Sequence, residues 1–291
     1  MTALSDVPAV AETGDARAPG RERRGRIAYR VALGWIGLLA VLGATAGLVA
    51  PYDPTAPAGP ARLAPFSDFG HLLGTDGVGR DVLSRLLHGI QISLAVGVGA
   101  TLVAAVAGVL LGLLAAYFRG WVEAVIRVGT DAVLSFPPLL VLLALAAVVD
   151  PGVPTLTLSL GLLFTPPLAR LTRSAALAQM KIDYIAAARS LGAGAGRIIF
   201  RELLPNSVRP VISYSVVVVA LVIVIEGSLS FLGVGIPPPA PSWGSMIASA
   251  KDQISLAPHV MVPPALMIVF TVLAFNTVGD HLRNRFSGGA E

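Results

Sequence analysis

Few residues in this chain are equipped for chemistry, and most are spaced wrongly for it. The 291 residues include no cysteine, which excludes disulfides, thiolate metal sites and cysteine nucleophiles. The four histidines, His71, His88, His259 and His281, show no HExxH or related ligand spacing, so no metal site is expected. Gly74-Thr75-Asp76-Gly77-Val78-Gly79-Arg80-Asp81 carries the glycines of a phosphate loop, GxxxxGK[ST]. Arg80 and Asp81, however, stand where the phosphate-binding lysine and the magnesium-binding hydroxyl belong. Nucleotide binding is excluded there; the segment reads as a turn-rich gate or docking element, or as a polar turn that starts a helix. Glu226 is the only acidic residue deep within an apolar run. It either lines a pathway, where it would meet a substrate amine, or bonds to a neighbouring helix. No catalytic Ser/His/Asp set or carboxylate pair is apparent, so no enzyme active site is expected.

The elements that must position these residues are membrane helices. Hydrophobic residues make up 55% of the chain and charged residues 13%, about half the usual share for a soluble domain. About 20 apolar residues cross a bilayer core. Six such runs are found: 31–52, 89–118, 132–149, 151–169, 210–232 and 260–279. The expected fold is all-α, a polytopic membrane protein. The first run reads as an uncleaved helix rather than a signal peptide. The expected layout is a tail at 1–29, a span at 30–52 and an outer loop at 53–88. A core with five spans follows at 89–285, with an inner loop at 170–209, and a tail at 286–291. With the N-terminus inside, the inner segments hold six, two, seven and two Lys or Arg; the outer ones hold Arg62, Arg80, Arg85 and Lys251. Basic residues concentrate on cytoplasmic loops, so both termini are placed in the cytoplasm. This accounts for the net charge of +4 without nucleic acid. Pro137-Pro138 and Pro166-Pro167 interrupt the third and fourth runs, either to expose backbone to a translocation cavity or to shape packing. Arg127 and Asp131, at the inner end of the third run, read as a helix-end ion pair. In the second outer segment, 233–258, Trp243 suits an interfacial position.

The inner segment Arg170–Arg209 is too long for a connector. Asp183 caps a short helix there, with Tyr184–Leu191 as its body, Ala186, Ala187 and Ala188 as a slim face, and Gly192 as its stop. Arg197–Leu204 forms a second amphipathic stretch that Pro205 ends. A helix–turn–helix body tied at both ends to spans favours docking to another protein over reading DNA.

These residues resemble the cytoplasmic-loop motif of bacterial ABC importer permeases, EAA-x3-G-x9-I-x-L-P. Ala187, Ala188, Gly192, Leu204 and Pro205 match it, while Ala186 replaces the glutamate and Glu202 the isoleucine. Ala187–Asn206 follows the variant AARxLGA…RIxFRxxLPN of the dipeptide/oligopeptide/nickel branch. Leu73–Asp81, Leu229–Gly235 and Pro237–Met246 are similar to the same branch, and the chain is closest to the second permease subunit of a dipeptide importer.

The resemblance implies a type I importer permease in the bacterial plasma membrane that forms half of a translocation pathway. It implies a second homologous permease, two cytoplasmic ATPases carrying ATP and Mg, an extracytoplasmic solute-binding protein, and no cofactor in this chain. The ATPase-coupling role falls on Asp183, Tyr184, Ala186, Ala187, Ala188, Arg189, Gly192, Leu204 and Pro205. Pathway candidates are Glu226, Pro137 and Pro166; gate or docking candidates are Gly74, Thr75, Asp76, Gly79, Arg80, Asp81 and Trp243. Cargo on this reading is a dipeptide or oligopeptide; nickel, glutathione and haem are same-branch alternatives. An ion-coupled secondary transporter is the alternative of another class, and it calls for more ionisable residues within the spans.

Overall fold

The structure, a computed structural model, describes residues 19–287, with side-chain surroundings from Gly25 to Phe286. The tail residues 1–18 and 288–291 lie outside the described residues, as do the side chains of Arg21, Arg23 and Arg24.

The regular elements of the described residues are helices: α1 (Pro19–Ala44), α2 (Ala46–Val49), α3 (Val82–Phe118), α4 (Gly120–Leu134), α5 (Pro138–Ala146), α6 (Val153–Gln179), α7 (Asp183–Ser190) and α8 (Ala195–Arg197). A π-helical turn at Ile198–Leu203 leads into α9 (Leu204–Phe231), followed by α10 (Trp243–Ala250) and α11 (Val262–Ser287). Among the described residues, four stretches are long and apolar enough to cross a membrane: Gly25–Ala44, Val82–Phe118, Ala195–Phe231 and Pro258–Phe286. The pair α4–α5, bent by 82°, makes a fifth if counted as one span. The remaining expected span is α6, whose 27 residues suffice in length. Its Pro154, Thr155, Thr157, Pro166, Pro167 and Arg170 dilute its apolar character.

Several boundaries differ from those the sequence suggests. Helix α6 runs past Arg170 to Gln179, and α9 begins before Arg209. The body between them is therefore much shorter than 170–209. Arg170 and Arg173 lie on this helix and pair with Asp131 and Glu123 of α4. Pro137-Pro138 does break a helix, but α6 is continuous through Pro166-Pro167. Membrane helices tolerate such lost donors where neighbouring helices hold the backbone. Pro205 does not end a helix either. The helix runs on across it, from the π-helical turn at Ile198–Leu203 into α9.

Small residues set the core. On α3, Ala100, Ala104, Gly108 and Gly112 recur every four residues and are all buried, forming one face. That face meets α6 at backbone range. A Cβ on Gly112 would sit 2.6 Å from the Ala169 carbonyl oxygen, and one on Gly108 2.7 Å from Leu168 Cβ. Replacing Gly112 by valine is expected to destabilise the permease by at least about 1–3 kcal/mol through overpacking. Gly34→Ala serves as the control, because nothing lies within 4 Å of its would-be Cβ. Thermal unfolding in detergent separates the two, and equal stability would contradict close α3–α6 packing. Elsewhere large apolar side chains face outward, among them Leu38 and Val41 on α1, Trp121 and Val128 on α4, and Val269 and Leu273 on α11. Such surfaces suit lipid or a partner helix, not water.

Candidate functional site

Helix α7 stands on a small core of its own. Ile185 points inward and is buried with Ile198, Ile199 and Leu203 against Leu113 and Ala116 of α3 and Ala176 of α6. The Tyr184 hydroxyl lies 3.3 Å from Gln179 Oε1, and Asn206 Nδ2 donates to that hydroxyl at 3.4 Å and to the Glu202 carbonyl at 3.0 Å. Leu204 is half-buried against the same cluster. Asp183 is the first residue of α7 rather than its cap. Ile182 holds the cap position and makes no side-chain bond there, so Asp183 acts only through its charge in the first turn. At the other end Gly192 has φ +82°, Ala193 N donates to the Ala188 carbonyl and Gly192 N to that of Arg189. This left-handed stop makes glycine the fitting residue at 192.

What remains exposed on α7 is Asp183, Ala186, Ala187, Arg189 and Ser190, continued past its end by Leu191 and Gly192. Leu191 is 89% exposed. The sequence reading missed it, although an apolar residue beside a helix stop was the available signal. The Arg189 guanidinium lies 5.7 Å from the Tyr117 ring centroid, and Arg197 Nε lies 4.0 Å from Glu202. Pro205 is exposed beside this body.

Gly74–Asp81 forms a knot at the opposite end of the bundle. Asp81 is fully buried and caps α3: its Oδ2 accepts from Ser84 N at 2.7 Å and Ser84 Oγ at 2.8 Å, and its Oδ1 lies 3.0 Å from His71 Nδ1. Asp76 accepts from Val78 N, Arg80 N and Arg80 Nε, the last at 2.8 Å. Thr75 donates through its hydroxyl to the Pro60 carbonyl, and its own carbonyl lies 3.3 Å from His259 Nε2. Gly74 and Gly79 both take positive φ, and a Cβ on either would meet a backbone carbonyl oxygen at 2.2 or 2.3 Å. These groups are occupied with one another. The segment is a turn that starts α3 and ties the preceding loop to the α10–α11 connection.

Trp243 is not interfacial. It is wholly buried at the start of α10; its Nε1 donates to the Leu86 carbonyl at 3.3 Å, and Gly89 leaves room for its ring. Glu226, 1% exposed, approaches the same helix start. Its Oε1 accepts from Ser242 Oγ at 2.8 Å and from Ser230 Oγ at 2.9 Å, while Ser242 itself caps α10. Its Oε2 faces Gly244, where a Cβ would come within 3.1 Å. The carboxyl therefore ties α9 to the start of α10 in the described chain. Glu226→Gln keeps an oxygen for both serines and is expected to transport at near wild-type rates. Glu226→Leu strands two buried hydroxyls, at about 1–3 kcal/mol each. Proteoliposome uptake and thermal unfolding test this pair, and a transport-dead Glu226→Gln of normal stability would restore the pathway role.

Pro166 is buried, whereas Pro137 lies exposed at the α4–α5 bend. Asp131 pairs with Arg170 of α6 at 2.6 Å instead of with Arg127, and Glu123 pairs with Arg173. Together with Arg127 and Thr130 these residues line a cavity of about 390 Å³ between α3, α4 and α6. The sequence reading missed both cross-helix pairs, whose partners stand 39 and 50 residues apart.

Residues 108–289 match the family described as binding-protein-dependent transport system inner membrane component. The di/tripeptide transport system permease protein of Pseudomonas aeruginosa is 37% identical over 241 residues, covering 81% of this chain and 80% of the relative. A glutathione transport system permease protein of Escherichia coli is 38% identical over 289 residues, covering 98% and 95%. The MetNI methionine ABC transporter, solved in inward-facing conformations, shares the fold. A chain of it superposes with a TM-score of 0.58 at 18% identity, covering 69% of this chain and 96% of that one. The chain thus belongs to the binding-protein-dependent inner membrane components: it is a multi-pass permease subunit of an ABC importer, and the ATPase of such an importer is a separate subunit.

Proposed function

We propose that the chain imports peptides, dipeptides foremost, as one half of a pathway shared with a second homologous permease. The name of the Pseudomonas relative supports peptide cargo, and the name of the Escherichia coli relative makes glutathione the same-branch alternative. The bias of Lys and Arg supports a cytoplasmic side for the termini and α7, and an outer side for the Gly74–Asp81 knot and α10. On the cytoplasmic side two ATPases bind, holding the ATP and Mg of the cycle. On the outer side a solute-binding protein delivers cargo. The exposed apolar bend around Pro137 faces the partner permease.

The observation that carries this reading is the rigid seating of α7. Buried Ile185 fixes the helix to the ends of α3 and α6, while its small-residue strip stays open. Alanines let a partner surface approach closely, and Leu191 and Arg189 offer one apolar and one charged contact. ATP binding closes the ATPases, which displaces α7. Because α7 shares a core with α3, α6 and the start of α9, the spans move with it and the cavity turns outward; hydrolysis resets it. The absence of cysteine makes a direct test simple. A single cysteine at Ala187 is expected to cross-link to the ATPase in the assembled complex, with a yield that changes on ATP binding. A cysteine at Gly34 is expected to give no such product. Cross-linking at Gly34 but not at Ala187 would refute the docking assignment.

A further inference from the structure

Five ionisable residues on two helices converge on the cavity between α3, α4 and α6. On α4, Glu123, Arg127 and Asp131 stand four residues apart and share one face; on α6, Arg170 and Arg173 are neighbours across one turn. Arg170 Nη2 donates to Asp131 Oδ1 at 2.6 Å, and Arg173 Nη2 donates to Glu123 Oε1. Both pairs are partly exposed, and ion pairs of that kind contribute little to stability. Ionisable residues within membrane helices are costly; where they occur they face a bundle interior or a water-filled cavity and mark substrate pathways. Holding α4 to α6 is therefore a poor reason for five of them.

The pairs leave binding capacity over. Three arginines stand against two carboxylates, and the Arg127 guanidinium has no partner among the described residues. Arg173 Nε is buried without a hydrogen-bond partner, although buried donors are ordinarily satisfied. Each carboxylate meets its arginine through one oxygen, so Asp131 Oδ2 and Glu123 Oε2 remain as acceptors. Small and apolar side chains, Ile126 the largest of them, line the rest of the space. Its volume of about 390 Å³ falls within the range of small-molecule sites.

We propose that this cavity is a cargo site for a small zwitterion, occupied near the end of its passage. Arg127 and Arg173 Nε take the carboxylate, Asp131 and Glu123 take the ammonium, and Ile126 packs against a side chain. A free peptide presents that chemistry. The mixed charge decides the occupant: an anionic lipid headgroup is drawn to basic groups alone, and two carboxylates repel it. The site lies beside the seat of α7, since Leu113 and Ala116 of α3 and Ala176 of α6 belong to that core. The proposal rests on the peptide reading above and on the inner placement of this end.

The test uses the complete permease–ATPase complex and a dipeptide with a benzophenone side chain and free termini. In detergent, without binding protein, illumination is expected to place the label within residues 123–131 or 169–173, as read by mass spectrometry. Arg127→Gln is expected to cut that labelling about tenfold at an unchanged unfolding temperature, and so is amidation of the dipeptide's carboxyl group. Arg127→Lys keeps the charge and is expected to recover part of the labelling. Label placed elsewhere, or labelling indifferent to both changes, overturns the proposal, and normal peptide uptake by the same complex then leaves the importer reading intact. Labelling suppressed by added phosphatidylglycerol assigns the cavity to a lipid headgroup and likewise overturns the proposal. A complex that takes up no peptide with binding protein and ATP overturns the peptide reading itself, and the proposal with it.

Discussion

Gly192→Val is expected to leave the permease folded and inserted while uptake falls to background and ATP hydrolysis continues. The cause is conformational, because nothing lies within 4 Å of a Cβ built at Gly192. Holding a β-branched residue at φ +82° costs about 1–2 kcal/mol, so the chain relaxes by extending or skewing the end of α7. The bonds from Gly192 and Ala193 back to Arg189 and Ala188 are then lost, and Leu191 with its neighbours leaves the docking strip. Stability should hardly change, since the end of α7 is exposed and the Ile185 core lies inward. Gly192→Ala is expected to fall between the two. Parallel assays of uptake and ATP hydrolysis in proteoliposomes read the result. A valine variant with normal uptake would show that the geometry at this stop is irrelevant to coupling.

Asp81→Ala is expected to have the largest effect on folding. One buried carboxylate caps α3, holds the Ser84 hydroxyl and faces His71, and through these it fixes the loop to the start of the longest helix. Losing the cap costs about 1 kcal/mol. Leaving buried His71 and Ser84 unsatisfied adds about 1–3 kcal/mol each. A fall of about 3–7 kcal/mol in stability should appear as a lower unfolding temperature in detergent and as loss of permease from the membrane. Asp81→Asn keeps an acceptor for the cap and should lie between alanine and wild type. An alanine variant as stable as wild type would contradict the structural role of the knot.

Much of this was legible because it is local. Scarcity of charge marked the helices, and the glycine at 192 marked the end of α7. Asp81-Val82-Leu83-Ser84 is an ordinary cap pattern, an acceptor three residues before a donor. What escaped the sequence depends on pairing between distant helices. Arg170 and Arg173 read as loop residues until Asp131 and Glu123 are seen to accept them, and for that reason the inner body was drawn too long. Glu226 reads from sequence as a pathway or a helix-bonding residue, and its partner Ser242 stands 16 residues away. Trp243 suited an interface until Gly89 opened a slot for it in the core. Pro166 and Pro205 looked like breaks because a rule about isolated helices ignores the neighbours that hold a backbone in place. In each case the residue type was informative and its partner was not.

On the proposed function, closure of a separate ATPase drives this permease through α7. The most direct measurement is uptake of labelled peptide into proteoliposomes containing the assembled complex, with binding protein outside and nucleotide inside. Uptake is expected only with hydrolysable ATP and binding protein together, and it should be insensitive to dissipating the proton gradient. Uptake driven by an imposed gradient in the absence of ATP would contradict the account.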